Sequence, residues 1–461
     1  MNDYPTETTV ELAATRPRFS SFSSGVAVTF ATRLVMLAGV LGSSVIVARW
    51  LGPAGAGTLA VLNVTVALAL QVGSAGLPSA NTFFIARDRK TLTVAWANSI
   101  AFALVAGVVT AAAILALAEF RPTAFGNVRV ALIAIAAASI PFQLLTLFGL
   151  NVLLAVQRVD LLNLLDAATP LFLLANAVVI LIFLGFGLTP LVWANAAVAL
   201  VIAFAVIATI ASVARREKNR EAGRVDWQLL KQTLGYGAKF YISIMAGAII
   251  IRSDLLIVNH FRGAAEAGVY SVASQVGNLL LTLPAVIATL LFPRVASQPE
   301  PRGEFAVRVT RHTSFVMFIL CAAAAAGSFL LPLVYGQRFN GAVFQLLLLL
   351  PGVCFLAIES VLVQHFTGTG LPAAIPAFWI VTVIVNLGLN FALVPRWGAL
   401  AAALNSSISY TLIFLLVVIY FCVKTARKPG EIFVLRRHEL REVFRRILRR
   451  RPRTADSQLK L

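Results

Sequence analysis

Twelve apolar stretches, each long enough to cross a bilayer, follow one another from about residue 22 to residue 423. A hydrocarbon core ~30 Å thick needs roughly 20 apolar residues per helix. The spans read as 23–48, 57–84, 92–118, 128–155, 162–185, 190–213, 233–259, 267–292, 307–333, 343–366, 372–393 and 398–423. With 59% hydrophobic residues, 12% charged residues and a mean hydropathy of +0.88, a soluble domain of 461 residues could not bury the apolar surface. Backbone groups in lipid must bond within their own segment, so the spans are helices unless they close into a barrel. Barrel strands alternate polar and apolar residues, and the runs Ala101 to Leu117 and Leu346 to Leu350 do not. The expected fold class is an all-α integral membrane protein of about 12 transmembrane helices.

The net charge of +19 comes from 38 Lys and Arg against 19 Asp and Glu. With the N-terminus in the cytoplasm, about 29 of the basic residues fall in cytoplasmic segments and about 6 in external loops. The inner clusters are Arg87, Arg89 and Lys90; Arg215 to Lys231; Arg294 to Arg311; and the C-terminal tail. An even number of spans then places both termini inside. This bias points to anionic membrane lipids rather than nucleic acid as the partner of the charge. Cys321, Cys354 and Cys422 all fall in spans and form neither a disulfide framework nor a metal motif. The first span is too long for a signal sequence and is expected to be an uncleaved helix. No cofactor is expected, and no Gly-Lys-Ser/Thr follows a glycine run, which speaks against ATP hydrolysis within this chain. In the tail, Leu440, Val443, Phe444, Ile447 and Leu448 recur at helical spacing among six arginines. That pattern suits a basic amphipathic helix in the membrane interface, or a solvated basic tail.

The chain carries an internal echo. Gly-Pro-Ala-Gly-Ala-Gly at 52–57 aligns with Gly-Ala-Ala-Glu-Ala-Gly at 263–268, an offset of 211, and the same offset aligns Gly187 with Gly398. Six spans per half make both halves enter the membrane from one side, giving two pseudo-symmetric six-helix lobes around a central cavity. The expected organisation is a cytoplasmic N-terminal tail over 1–22, a lobe over 23–213, a basic cytoplasmic linker over 214–232, a second lobe over 233–423, and a basic tail over 424–461. External loops are short, at about 49–56, 119–127, 186–189, 260–266, 334–342 and 394–397. They leave little room for the acceptor site of a membrane glycan polymerase or glycosyltransferase.

Ionisable side chains inside spans cost roughly 2.5–3.5 kcal/mol on insertion scales and usually face a cavity. Here they are Arg33, Asp166, Lys239, Arg252, Asp254, Glu359 and His365. Arg33 sits about ten residues into the first span, on a helix made partly polar or small by Thr29, Thr32, Gly39 and Ser43. It suits an anionic group such as a phosphate, or it pairs with a carboxylate and locks two helices. Arg252 and Asp254 are two residues apart, about 200° around a helix, so they face different neighbours. Lys239 lies near the inner end, where an interfacial anchor is an equal alternative. Asp166, Asp254 and Glu359 are candidates for cation or proton coupling, or for neutral or ion-pair partners within the protein. His365 is expected to be structural. Asn63, Asn81, Asn151, Asn163, Asn278, Asn386 and Asn390 are expected to bond helix to helix, at about 1 kcal/mol or less each.

The segment Ala48-Arg49-Trp50-Leu51-Gly52-Pro53-Ala54-Gly55-Ala56-Gly57 resembles the signature of the polysaccharide-transport branch of the multidrug/oligosaccharidyl-lipid/polysaccharide exporter superfamily, the Wzx-type flippases. Phe292-Pro293, the run from Asn386 to Asn390, and Pro395 to Ala403 fit the same pattern, and the resemblance extends from about 22 to 423. It implies twelve helices in two lobes working by alternating access. It also implies a substrate, oligosaccharide on a polyprenyl diphosphate, moved from the cytoplasmic to the outer leaflet of a bacterial inner (plasma) membrane. By position Arg33 matches the diphosphate-handling arginine of related lipid flippases, with Arg252 or Lys239 assisting. The drug-exporting branch tends to place a carboxylate where this chain has Arg33, and the peptidoglycan-precursor flippases resemble a fourteen-helix form. The resemblance thus implies a transporter rather than an enzyme, driven by membrane potential or a coupled cation, with other polysaccharide-assembly proteins as expected partners. The alternatives are a cation-coupled multidrug antiporter, a glycan polymerase or glycosyltransferase, and a non-transporting scaffold.

Overall fold

At 1.5 Å per residue a 56-residue helix would be about 84 Å long, nearly three hydrocarbon cores, so an apolar helix of that length must break. The computed structural model, which describes residues 19–216, 223–285, 287–288, 291, 303–368 and 372–433, places the break at a glycine. Helix α1 (Phe19–Ser74, 56 residues) turns at Gly52, with φ 66° and ψ −176°. A second long helix, α13 (Ala374–Thr425, 52 residues), turns at Gly398, with φ 61° and ψ −144°. Only glycine takes such angles without strain, so each helix holds two spans.

Between them run α2 (Leu77–Arg87), α3 (Leu92–Phe120), α4 (Val130–Ala138), α5 (Ile140–Ala155), α6 (Val159–Ala177), α7 (Leu188–Arg216), α8 (Trp227–Arg262), α9 (Ala264–Leu280), α10 (Glu304–Gly327), α11 (Leu331–Tyr335) and α12 (Gly341–Gly368), and α14 (Pro429–Phe433) follows α13. Every regular element among the described residues is helical. Nine stretches there are long and apolar enough to cross a membrane. Two of them contain the glycine breaks, and the 17-residue α9 supplies one more span, so twelve are accounted for. The chain is a multi-pass, all-α membrane protein. Two expected spans are interrupted. The second breaks at Ala75 (φ 46°) and Gly76 (φ 76°) before α2, and the fourth breaks at Ser139, where Pro141 in the next turn can donate no backbone bond. The tail over 1–18, residues 217–222 of the basic linker, Phe292-Pro293 and the basic tail from 434 onward lie outside the described residues.

The helices pack with small and polar residues inward and large apolar ones outward, as a lipid solvent favours. On α3 the buried positions include Asn98, Ser99, Ala103 and Gly107, while Leu104, Val105, Val108 and Val109 are exposed. On α10 Thr310, Arg311, Thr313 and Ser314 are buried while Phe315, Phe318 and Ile319 are exposed. In the first half α1 packs on α6, and α5 on α3 and α7; in the second α13 packs on α8 and α12, and α12 on α10. The halves meet where α1 lies against α9 and where α1 and α2 lie against α8.

The internal echo is present in the backbone. Gly52 (φ 66°) and Gly263 (φ 85°), 211 apart, both take a left-handed turn, as do Gly126 (φ 61°) and Gly336 (φ 103°), 210 apart. For Gly398 the alignment differs from the sequence reading. The left-handed residue of the first half is Gly185 (φ 63°), not Gly187, and a π turn over Val178–Phe183 precedes it.

Candidate functional site

Glycine pairs decide how closely the halves approach. A Cβ on Gly57 would collide with the backbone carbonyl of Ala264, and a Cβ on Gly268 would collide with that of Pro53. Gly57 and Gly268 are 211 apart, as are Pro53 and Ala264. The contact is therefore reciprocal, as a two-fold interface requires. The same end of the bundle carries two clasps with the same relationship. Arg49 donates from Nε to the Val334 carbonyl and from Nη2 to the Leu333 carbonyl, both at 2.7 Å. Its counterpart at offset 211, His260, sets Nδ1 against the Thr123 carbonyl, and the neighbouring Asn259 donates to the Phe125 carbonyl at 2.7 Å. Each half thus holds the loop after the third span of the other half. The sequence signal for the first clasp was Arg49 itself, inside the glycine-rich motif; His260 and Asn259 carried none.

At the opposite end the approach is one-sided among the described residues. Gly76 and Gly237 meet backbone to backbone. The Tyr241 hydroxyl donates to the Val72 carbonyl at 2.9 Å, and Phe83 stacks on Tyr236 with ring centroids 4.7 Å apart.

Arg33 is held between α1 and α6. A Cβ at Gly39 would lie 3.1 Å from the Pro170 carbonyl oxygen, and one at Gly42 would lie 3.1 Å from Leu174 Cδ1, so small residues let the two helices approach closely. One end of that contact brings Arg33 Nη1 to 3.0 Å from Asp166 Oδ2. The pair uses one nitrogen and one oxygen; Nη1 also reaches Met36 Sδ at 3.6 Å. Both side chains remain partly accessible, Arg33 at 43% and Asp166 at 28%. Of the two readings of Arg33 left open by the sequence, the structure shows the pairing, made through one nitrogen and one oxygen.

The second half is built differently. Arg252 on α8 is exposed, and no partner for its guanidinium occurs among the described residues. Asp254, two residues on, points the other way and is 1% exposed. Tyr270 donates to its Oδ2 at 3.0 Å, Ser406 donates to the same oxygen, and Asn390 donates to Oδ1 at 3.2 Å. Behind these, Asn405 donates to Asn390 at 3.3 Å, Asn390 to Asn386 at 3.2 Å, and Asn386 to Ser409 at 3.1 Å. A carboxylate in so dry a place needs donors or a cation, and all of its partners here are neutral. The amides Asn386 and Asn390 were expected as helix–helix bonders; Tyr270, Asn405 and Ser406 were not singled out, because nothing local marks them as neighbours of Asp254. At offset 211 the counterparts of Asp254 and Tyr270 are Ser43 and Leu59, so the network belongs to the second half alone.

Lys239 lies on α8, and its side chain lies outside the described residues. Glu359 on α12 is 1% exposed, and its Oε1 has no hydrogen-bond partner among the described residues. Its helix also buries Val361 and Leu362. His365 is buried with its ring edge-on to Phe366 and Phe421. No group of three His, Cys, Asp or Glu suited to a metal ion occurs among the described residues. The Asp254 cluster presents oxygen and amide groups only.

Solved structures with this architecture include the lipid II flippase MurJ in an inward closed conformation, with a TM-score of 0.71, 13% identity, and coverage of 94% of this chain and 93% of that one. They also include a multidrug resistance MATE family transporter of the MOP superfamily in an inward-facing conformation, with a TM-score of 0.67, 14% identity, and coverage of 85% and 94%. At such identities the likeness is one of fold. Among characterised sequences, the probable flippase AglR of Haloferax volcanii is 27% identical over 174 residues, 36% of each chain. The probable low-salt glycan biosynthesis flippase Agl15 of the same organism is 19% identical over 186 residues, 39% of each chain. The aligned part is thus well under half the length of either relative. The family described as polysaccharide biosynthesis protein matches residues 46–344, starting two residues before the Ala48–Gly57 motif and crossing from the first half into the second. With about two-thirds of its length inside that match, and with the fold of the MOP superfamily, this chain belongs to the polysaccharide biosynthesis protein family.

Proposed function

We propose that the chain is a flippase for oligosaccharide carried on a polyprenyl diphosphate, moving the headgroup from the cytoplasmic to the outer leaflet of a bacterial inner membrane. The observation that carries the reading is Arg33: a cation deep in a span, 43% exposed, with only one of its nitrogens engaged by Asp166. A guanidinium in that condition has donors left for phosphate oxygens, and such charge-assisted bonds are about twice as strong as neutral ones. Arg252 is a second exposed cation with no partner among the described residues, and Lys239 shares its helix. In this reading the diphosphate lies between the halves, the glycan occupies the polar interior, and the lipid tail stays in the bilayer.

The reciprocal contacts support alternating access. Both termini are cytoplasmic in this reading, so the Gly57–Gly268 contact and the Arg49 and His260 clasps form the outer gate, closed here. Opening it means breaking a few backbone-directed hydrogen bonds and separating two glycine contacts, with each half moving as a body. The lobes would span 23–213 and 233–423, with the basic linker between them on the cytoplasmic side, near anionic lipids and near other proteins of polysaccharide assembly. Asp254 is the foremost candidate for coupling, since its all-oxygen and amide surroundings suit a proton or a hard monovalent cation. Asp166 would act on Arg33 instead, and Glu359 shares no hydrogen bond with the other candidates among the described residues.

The test is the leaflet location of lipid-linked oligosaccharide in cells lacking this protein, with rescue by wild type and by Arg33→Ala. The expected outcome is accumulation on the cytoplasmic face, full rescue by wild type, and export reduced about tenfold or more in the variant, the equivalent of one lost charge-assisted contact. Full-rate export by Arg33→Ala would refute the role of this arginine, and normal export without the protein would refute the flippase.

A further inference from the structure

The Arg33–Asp166 pair has a geometry that a purely structural lock would not need. Helix-locking ion pairs gain from two-point contact and from burial away from water. This one has a single 3.0 Å contact, leaves the second carboxylate oxygen and two guanidinium nitrogens unengaged, and is 43% and 28% exposed on its two sides. The helices carrying it are already fixed by the Gly39–Pro170 and Gly42–Leu174 contacts, which need no charge. Pro170, four residues after Asp166 inside α6, gives no N–H to the Asp166 carbonyl. Asp166 meets Arg33 through one oxygen only.

We infer that Asp166 is a built-in competitor for the anion site: it holds Arg33 when the site is empty, yields Nη1 to a diphosphate, and retakes it to help eject the headgroup after translocation. This inference rests on the diphosphate reading of Arg33 and adds how that site lets go. A site that bound diphosphate with a bare arginine would risk holding its product. A monoanion that competes for one donor out of several lowers affinity without abolishing it. Exposed pairs interact by about 0.2–1 kcal/mol, so the effect on affinity is modest, about 1.4-fold to fivefold, while its effect falls on release, the step that follows transport. Asp166 is a positioning residue in this scheme: it touches Arg33, not the substrate.

The experiment uses the full-length protein in lipid nanodiscs, with inorganic pyrophosphate and polyprenyl diphosphate as probes. Wild type, Arg33→Gln, Asp166→Asn and Asp166→Glu are compared for equilibrium affinity and for release rate after dilution. Loss of pyrophosphate binding in Arg33→Gln establishes the anion site; binding equal to wild type would refute that site and the competitor with it. Given the site, Asp166→Asn is expected to bind pyrophosphate more tightly, by up to about fivefold, and to release polyprenyl diphosphate correspondingly more slowly. Asp166→Glu, which restores the charge, is expected to return both values toward wild type. Unchanged or weaker binding in a folded Asp166→Asn protein would overturn the competitor while leaving the anion site standing. If the asparagine variant does not purify folded, Asp166→Ser supplies the same comparison.

Discussion

Alanine at Gly57 adds one carbon where the structure has no room for it. The atoms it would meet are the backbone carbonyl of Ala264 and the backbone nitrogen of Gly268, which no rotamer change can move aside. The two helices must draw apart by roughly 1–2 Å to bring that carbon to ordinary contact distance. Overpacking of this kind costs about 1–3 kcal/mol. Here that cost falls only on the conformation in which the halves touch, since a separated state makes no such contact. A bias of about 2 kcal/mol is roughly a thirtyfold change in the ratio of closed to open. Reciprocity sharpens the expectation. Gly268→Ala meets Pro53 in the same way, and the separation that relieves one collision relieves the other. The double variant should therefore cost much less than the sum of the singles. Spin labels at Arg121→Cys and Trp397→Cys, in a background without Cys321, Cys354 and Cys422, report the distance between the halves at that end. Each alanine variant should lengthen the distance distribution, and the double variant should add little. Wild-type distances in both single variants, or strictly additive losses of stability, would refute the reciprocal bearing.

Two further outcomes concern stability in detergent. Tyr270→Phe removes one of three donors to a buried carboxylate and should destabilise the protein by about 1–3 kcal/mol, read as a lower melting temperature. Gly388→Ala fills open space within helix α13, where no atom lies within 4 Å of the new carbon, and should stabilise by about 0.5–1 kcal/mol.

Much of the fold was legible because lipid leaves a chain few options. Span length and apolar composition identify the helices, and the Gly52 motif announces both a turn and a repeat. The interruptions at Gly76 and Ser139 were hidden because apolar composition runs through them unchanged, and only backbone angles distinguish a bend from a continuous helix. The shift from Gly187 to Gly185 was hidden in the same way, since both glycines sit in one short connection and only φ distinguishes them. For the candidate site, the two-residue spacing of Arg252 and Asp254 foretold that they face apart. That Asp166, 133 positions away, meets Arg33 depends on how α1 and α6 dock, which no local pattern encodes. Tyr270 and Ser406 escaped notice for the same reason. A tyrosine on a helix is unremarkable until the carboxylate across from it is known.

The glycines that articulate the two halves have matching roles, while the ionisable positions near them do not. Arg33 stands where the second half has Ile244, and Asp254 where the first has Ser43. The halves are related by an axis along the bilayer normal, so these substitutions distinguish one side of the interface from the other and not one membrane face from the other. The open ion pair belongs to one half and the sealed carboxylate to the other. The halves are matched in how they articulate and unlike in the charge they carry.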